Sequence, residues 1–247
     1  MKKKKQRNIE HYTEEYNKHN FEDIQVQFRK KEILKHYYEF NPSIVLEIGC
    51  GMNPFFLENI KFDKYVVVEP SKFFSENANK LKNSPNIFIL NDYLENIIDD
   101  ISTEKFDLII LSGLLHEIMD INSFIKKIKC LVHEKTIIHI NVPNAKSLHR
   151  ILAYESGLIK SCFDMSDANL KLQQHRVFDM CSLIKLVEDE GFKVLSSGSY
   201  FIKPFTHEQM YNILNRKIID SKVIEGFNNL IKYLPEYGSE IYVNIKV

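Results

Sequence analysis

An acidic residue followed by a glycine turn is the first place in this chain where residue types and spacing point to chemistry. Residues 44–54 read Ile-Val-Leu-Glu-Ile-Gly-Cys-Gly-Met-Asn-Pro. An apolar run suited to a buried parallel strand carries Glu47 near its end. Gly49 and Gly51, either side of Cys50, then let the backbone turn sharply and approach a ligand with no Cβ in the way. Asn53 and Pro54 fit a helix entry. Such a turn serves to hold a nucleotide-type cofactor. A lone Gly-x-Gly is equally compatible with a plain strand-to-helix turn, so the weight rests on the runs downstream of it.

Eighteen positions beyond Gly51, the run Tyr65-Val66-Val67-Val68 closes on Glu69 and Pro70, where a doubly wound sheet presents an acid to ribose hydroxyls. A third run, Ile87 to Leu90, closes on Asn91-Asp92-Tyr93. A fourth, Phe106 to Leu111, closes on Ser112-Gly113, and a fifth, Thr136 to Ile140, on Asn141-Val142-Pro143-Asn144. Polar residues thus gather at every carboxyl end, the edge at which open α/β sheets bind ligands. Any one of these acids fits a solvated strand end, but three in this order fit that poorly. A nicotinamide or flavin site wants Gly-x-Gly-x-x-Gly, and Pro54 stands where its third glycine belongs.

The order and spacing of these motifs resembles the class I S-adenosylmethionine-dependent methyltransferases, over roughly residues 40–200. The resemblance implies S-adenosylmethionine as cofactor. It implies that Glu47, Gly49, Cys50 and Gly51 form its acid-x-Gly-x-Gly turn and that Glu69, with Pro70, meets the ribose. Asp92, between Asn91 and Tyr93, would stand near the adenine amino group, and Ser112 and Gly113 would line the methionine part. Asn53 occupies a position at which the family often has another glycine. The fold implied is α/β, a doubly wound Rossmann-like seven-stranded sheet with its last strand antiparallel beside the fifth.

Methyl transfer from a sulfonium is an in-line displacement, so a protein must add alignment and, for a hydroxyl acceptor, a base. Histidine is the side chain best suited to take that proton near pH 7. His116 follows the fourth run at the edge where the methyl belongs, with Glu117 able to orient its ring; a helix-start histidine bonded to backbone is the alternative. His175 with Arg176 reads as a second catalytic candidate and an anion or polyol clamp, because guanidinium forks suit phosphates and carboxylates. Asn141, Asn144, Ser147, His149 and Arg150 could hold a polyhydroxylated acceptor, though Asn144 equally suits a helix cap. His11, His19, His36, His133, His139 and His207 have no comparable placement and read as structural or surface residues. No His-x-x-x-His, cysteine ligand spacing or dense carboxylate cluster marks a metal site, so no metal is expected.

The elements that must position these residues emerge from periodicity. Residues 8–40 carry a loosely helical spacing of aromatic and aliphatic residues and read as one or two amphipathic helices, an N-terminal helical cap over residues 1–40. Tyr12, Tyr16 and Arg29 are its candidates for cofactor or substrate contact, against packing or surface ion pairing as the simpler role. Apolar spacing predicts a crossover helix over Ile121 to Val132 and another over Phe178 to Glu190, ended by Gly191. Phe192 to Leu195 and Ile241 to Val247 read as the sixth and seventh strands. In the domain 41–247, the segments 145–176 and 204–237 exceed what the sheet needs. Both read as mainly helical inserts over the carboxyl edge and as the source of specificity.

A chain of 247 residues with 44% hydrophobic and 27% charged residues suits one large folded domain. Lys plus Arg and Asp plus Glu balance at 33 each, which leaves no strong field for a polyanion and argues against nucleic acid. Cys50, Cys130, Cys162 and Cys181 form no Cys-x-x-Cys pair and read as free thiols in a reducing compartment. Lys2 to Lys5 imitate a signal-peptide start, but the polar residues behind them offer no apolar core, and no run reaches a membrane span. The expectation is a cytoplasmic O-methyltransferase of a small polar acceptor, a sugar hydroxyl on a nucleotide-linked sugar destined for capsule or other surface polysaccharide. A second copy of the chain, in a homodimer, is the one protein partner considered. N- or O-methylation of another metabolite such as a quinone precursor, and a noncatalytic cofactor-binding subunit, are the alternatives.

Overall fold

Seven apolar runs become strands: β1 (Ile44–Ile48), β2 (Lys64–Val68), β3 (Ile87–Leu90), β4 (Leu108–Ser112), β5 (Ile137–Pro143), β6 (Lys193–Tyr200) and β7 (Glu240–Lys246). The structure is a computed structural model that describes residues 7–16, 18 and 21–247. The lysine run and His19 lie outside the described residues. The strands form one sheet in the order β3-β2-β1-β4-β5-β7-β6. β1 pairs in parallel with β2 and β4, β2 with β3 and β4 with β5, whereas β7 runs antiparallel to both β5 and β6. The expected topology is present, including the antiparallel last strand beside the fifth.

Alternation along each strand feeds two cores. On one face Leu46, Val66, Ile109, Ile138 and Val243 pack with residues of α4 (Leu94–Ile101), α5 (Ile121–Lys129) and α8 (Met180–Asp189). On the other, Val45, Tyr65, Val67, Leu108 and Ile110 pack under Ile33 and Tyr37 of α2 (Glu22–Phe40) and Ala78 of α3 (Lys72–Leu81). The remaining helices are α1 (Ile9–Tyr16), α6 (Leu148–Glu155), α7 (Asp167–Lys171), α9 (His207–Asn215) and α10 (Ser221–Asn229). The strand order reverses between β1 and β4, and that switch point opens a crevice at their carboxyl ends.

Three expectations change. Asn53-Pro54 leads only into a three-residue 3-10 turn, Phe55–Leu57, because Phe55 and Phe56 are drawn into the second core and Pro54 is extended. β6 is twice the expected length: its Ser-Ser-Gly-Ser tail lacks an apolar signature but takes its ladder from β7 and, as an edge strand, leaves alternate positions exposed. The first insert is mostly turns rather than helix, holding only α6 and the short α7, whereas the second is mainly helical through α9 and α10.

Candidate functional site

The crevice is a cavity of about 840 Å³, within the ~300–1,000 Å³ usual for small-molecule pockets. Its floor is backbone. Gly49, Gly51 and Gly113 adopt φ of 78°, 55° and 62°, values that other residues hold only with strain. Glu47 supports the first turn from beneath: both its oxygens accept the Phe55 N–H at 3.1 Å and one accepts the Tyr65 hydroxyl at 2.9 Å. Burial pushes its carboxyl up to about 7. Glu69 lines the cavity at the end of β2, accepting the Ser71 N–H at 2.8 Å on one oxygen and the Gly51 N–H at 3.2 Å on the other. Burial holds it, too, at about 7. The Cys50 thiol is buried beside both acids, and burial first and those charges second raise its pKa, so it is not a reactive thiol. Pro70 and Ser112 complete this wall.

Asn91, Asp92 and Tyr93 stand behind the cavity lining. Asn91 donates to the carbonyls of Glu69 and Pro70, at 2.9 and 3.2 Å, and so fixes the loop that follows β2. Asp92 accepts the Tyr93 N–H at 2.7 Å and the Asn96 amide at 2.6 Å, which starts α4. The Tyr93 hydroxyl donates to the Arg7 carbonyl at 3.2 Å.

Over the floor lies α1. Tyr12 and Tyr16 both line the cavity; Tyr16 approaches Gly51 so closely that a Cβ there would lie 3.7 Å from its hydroxyl, and its ring meets Phe74 edge-on at 5.5 Å. Arg7 stacks 3.5 Å from the Tyr12 ring centroid, bonds Glu117 at 2.7 Å and reaches the Leu172 carbonyl at 2.6 Å. Asn8 and Gln173 exchange two hydrogen bonds. The N-terminal segment is thereby tied to the first insert across the crevice.

At the end of β4, His116 and Glu117 line the cavity on a 3-10 turn, Leu115–Glu117. His116 is 5% exposed, and its Nδ1 is sealed without a hydrogen-bond partner. Burial, assisted by Arg7 and Arg29, lowers its pKa to about 3, so the ring is neutral at pH 7. Its Nε2 lies 3.8 Å from Glu117; Arg7 is the stronger partner of that carboxylate. His175 is exposed and off the cavity, its backbone N–H donating to the His116 carbonyl at 2.9 Å. Arg176 also stands off the lining and donates to the Met119 carbonyl at 3.0 Å. Asn141 is fully buried beneath the site: its side-chain carbonyl accepts the Gly113 N–H at 2.8 Å and its amide donates to Ser112 at 3.1 Å, holding the loop after β4. Asn144 does line the cavity, but its amide is engaged by the Glu236 and Gly238 carbonyls and the Lys146 N–H.

The rest of the cavity belongs to the inserts and to the ends of β5, β6 and β7. His149 and Arg150 line it from α6, Ser166, Asp167 and Asn169 from around α7, and Thr206, His207 and Glu208 from the start of α9. His207, read from sequence as structural or surface, sits here with its Nδ1 3.9 Å from Glu22. Four lining residues, Arg7, Glu22, Lys203 and Glu240, belong to no motif. Arg29, half-buried beside Gly113, makes a bidentate pair with Glu240 at 2.9 and 2.5 Å and reaches Glu22 at 3.1 Å. Nothing in local spacing signals these residues, because the pair spans 211 positions. Among the described residues, no group of three or more His, Cys, Asp or Glu is placed to hold a metal ion, and no helix is long and apolar enough to cross a membrane.

A family model described as a methyltransferase domain matches residues 12–197. Among solved structures, the chain is similar to a SAM-dependent methyltransferase from Anabaena variabilis ATCC 29413, with 15% identity and a TM-score of 0.63 over 100% of this chain and 97% of that one. It is also similar to the plantazolicin methyltransferase BpumL in complex with SAH, with 15% identity and a TM-score of 0.58 over 95% and 88%. A SAM-dependent methyltransferase from Archaeoglobus fulgidus matches with 15% identity and a TM-score of 0.54 over 88% and 92%. At these identities the likeness is one of fold. None of the curated proteins matches the chain.

Proposed function

The chain belongs to the methyltransferase-domain family and uses S-adenosylmethionine, and from that premise we propose that it methylates a hydroxyl of a small polar acceptor, a sugar on a nucleotide carrier being the form that fits best. The observation that carries the reading is the division of one cavity into a glycine-floored half with a strand-end acid, Glu69, and a half walled by hydrogen-bonding side chains from the two inserts. The first half suits the cofactor: the turns at Gly49, Gly51 and Gly113 present backbone without side chains, and Glu69 keeps lone pairs for ribose hydroxyls beyond the two it gives to backbone N–H groups. The cofactor supplies a methyl on a sulfonium, already reactive.

What remains for the protein is positioning and a proton acceptor. His116 is the histidine of the two candidates that lines the cavity, and it is neutral at pH 7, able to accept a hydrogen bond from an acceptor hydroxyl. Lowered to about 3, it is a weak base, so it serves to accept and orient the hydroxyl's hydrogen bond and takes the proton only as the new C–O bond makes that oxygen acidic. Asn169, Ser166 and Thr206 supply donors and acceptors for a polyol. Tyr12 and Tyr16, on the overlying α1, help exclude water.

Titration calorimetry with S-adenosylhomocysteine, alongside NAD, tests the cofactor half; micromolar binding of the former alone is expected. An acceptor screen starting with nucleotide sugars tests the other half, with His116→Asn expected to cut turnover by orders of magnitude while S-adenosylhomocysteine affinity holds. Turnover on amines that survives the substitution would replace the hydroxyl reading with N-methylation. Binding with no turnover on any acceptor would leave a noncatalytic subunit.

A further inference from the structure

The cationic side chains that line the cavity are almost all engaged. Arg7 is taken by Glu117 and the Leu172 carbonyl, Arg29 by Glu240 and Glu22, Lys30 by Glu58 and the Pro54 carbonyl, and Arg150 by the Cys162 and Asp164 carbonyls. Lys203 differs. It is 5% exposed, lines the cavity, and makes no hydrogen bond or ion pair with any described residue. Glu22 and Glu240 are its nearest opposite charges, but Glu240 has both oxygens on Arg29 and one on the Tyr200 hydroxyl, and Glu22 faces Arg29 and His207. The Lys203 Nζ is not sealed but opens on the cavity, so its three N–H donors, met by no acceptor of the described residues, are turned toward whatever the cavity holds.

Its placement is built. Lys203 leaves the end of β6 through Phe201, a bulky residue held at φ 52°, a conformation that persists only where the surroundings impose it. Here Phe201 stacks on Phe28 at 4.3 Å, and its carbonyl and N–H are fixed by Ser239 and Asn228. Near it on the same wall stands His149, whose Nδ1 is sealed without a partner and whose charged form both burial and Lys203 disfavour. Both residues follow the carboxyl ends of β5 and β6, across the switch point from Glu69 and the Gly49–Gly51 turn.

We propose that Lys203, with His149 beside it, is the docking point for an oxyanion of the acceptor, a phosphate or a carboxylate, so that the enzyme selects acceptors that carry a negative group apart from the atom they present for methylation. The proposal rests on the methyl-transfer assignment of this cavity and names the class of substrate it takes. Burial lowers Lys203 to about 8, which leaves it mostly charged at pH 7.

The test is calorimetric titration of the S-adenosylhomocysteine complex with inorganic phosphate and, separately, acetate at pH 7, with sodium chloride at matched ionic strength as control. Saturable binding is expected at one site, weakened at least about tenfold in Lys203→Met, a few-fold in His149→Gln, and retained in Lys203→Arg, which also reports that the position tolerates change. Phosphate binding more tightly than acetate would assign a phosphoryl acceptor, and the reverse a carboxylate. Absence of saturable binding in the wild type overturns the proposal, as does affinity unchanged by Lys203→Met. A loss of S-adenosylhomocysteine affinity in Lys203→Met also overturns it, by giving Lys203 to the cofactor's own carboxylate. Should the wild type bind no S-adenosylhomocysteine, the cofactor assignment fails separately, and the same titrations on the unliganded protein still decide the role of Lys203.

Discussion

The two halves of the cavity are made of different material. Around Gly49, Gly51, Glu69 and Gly113 the surface is mostly backbone at strand ends, and its acids are tied to backbone N–H groups of the loops that follow β1 and β2. Across the switch point the surface is side chains, drawn from α2, both inserts and the ends of β6 and β7, and held by contacts such as Arg29 to Glu240 that join the two ends of the chain. A backbone site requires a local sequence, because few residues tolerate its dihedrals. A side-chain site requires only that distant residues arrive together, so many sequences can build it. The first half therefore reads from a short motif and the second does not.

The largest effect is expected at the junction of the two halves. Arg29→Met leaves the buried Glu240 and the half-buried Glu22 without their paired cation, with only Lys203 nearby, and stability should fall by about 3 kcal/mol, the lower end for a broken buried pair, read as a lower urea midpoint; a loss under about 1 kcal/mol would mean that this long-range pair does not hold that half. In the cofactor half, Gly51→Val forces a β-branched residue to φ 55° with Tyr16 close above. Strain of roughly 1–2 kcal/mol plus lost space should reduce S-adenosylhomocysteine affinity about a hundredfold, equivalent to roughly 2.7 kcal/mol. An unchanged affinity would remove the turn from the site. Glu69→Gln keeps an acceptor oxygen and, measured above pH 7 where the wild-type carboxyl is ionised, loses the charge, and should there cost roughly tenfold in the same affinity, of the order of a charge-assisted hydrogen bond.

Protonation sharpens the contrast further. Glu47 and Glu69, held at about 7, keep protons in the folded protein that the unfolded chain loses from about 4.5 upward. Their contribution to stability is thus present below pH 4.5 and lost as pH rises through 7. His116 and His139, lowered to about 3 and 4, contribute stability above about 6.5 that is lost as pH falls toward those values. Denaturation of Glu47→Gln across pH 5 to 8 should show a smaller fall at the alkaline side than the wild type, and identical slopes would contradict the raised Glu47. The smallest effect belongs to the second insert: Asp220→Ala removes the cap of α10, whose carboxylate accepts the Lys222 and Val223 N–H groups, and should cost about 1 kcal/mol with no change in S-adenosylhomocysteine affinity.

Particular elements show where local reading succeeds. β1, β2, β4 and β5 are visible because parallel strands buried on both faces are nearly continuous apolar runs, and β3, at the sheet's edge with Phe88 exposed, is visible only because its four residues are all apolar. β6 is half visible, since an edge strand exposed on alternate residues can carry Ser196, Ser197 and Ser199 without penalty. Among the candidate residues, Glu69, Gly113, His116, Glu117 and His149 line the cavity, while Asn141, Asp92 and Arg176 face backbone groups behind or beside it. A polar residue at a strand end is equally suited to bind a ligand or to hold the loop that does, and spacing alone does not separate the two.

The apolar runs that become strands and the glycine turns of the floor were legible in the sequence itself, because hydrophobic period and the tolerance of positive φ are local properties, whereas the order of the strands came only with the resemblance of the motifs to a known family. The tertiary structure alone decided which histidine meets the cavity, which cations are neutralised and which one is left open. Those outcomes depend on desolvation and on charges brought within a few ångströms from opposite ends of the chain, and neither exists until the chain has folded.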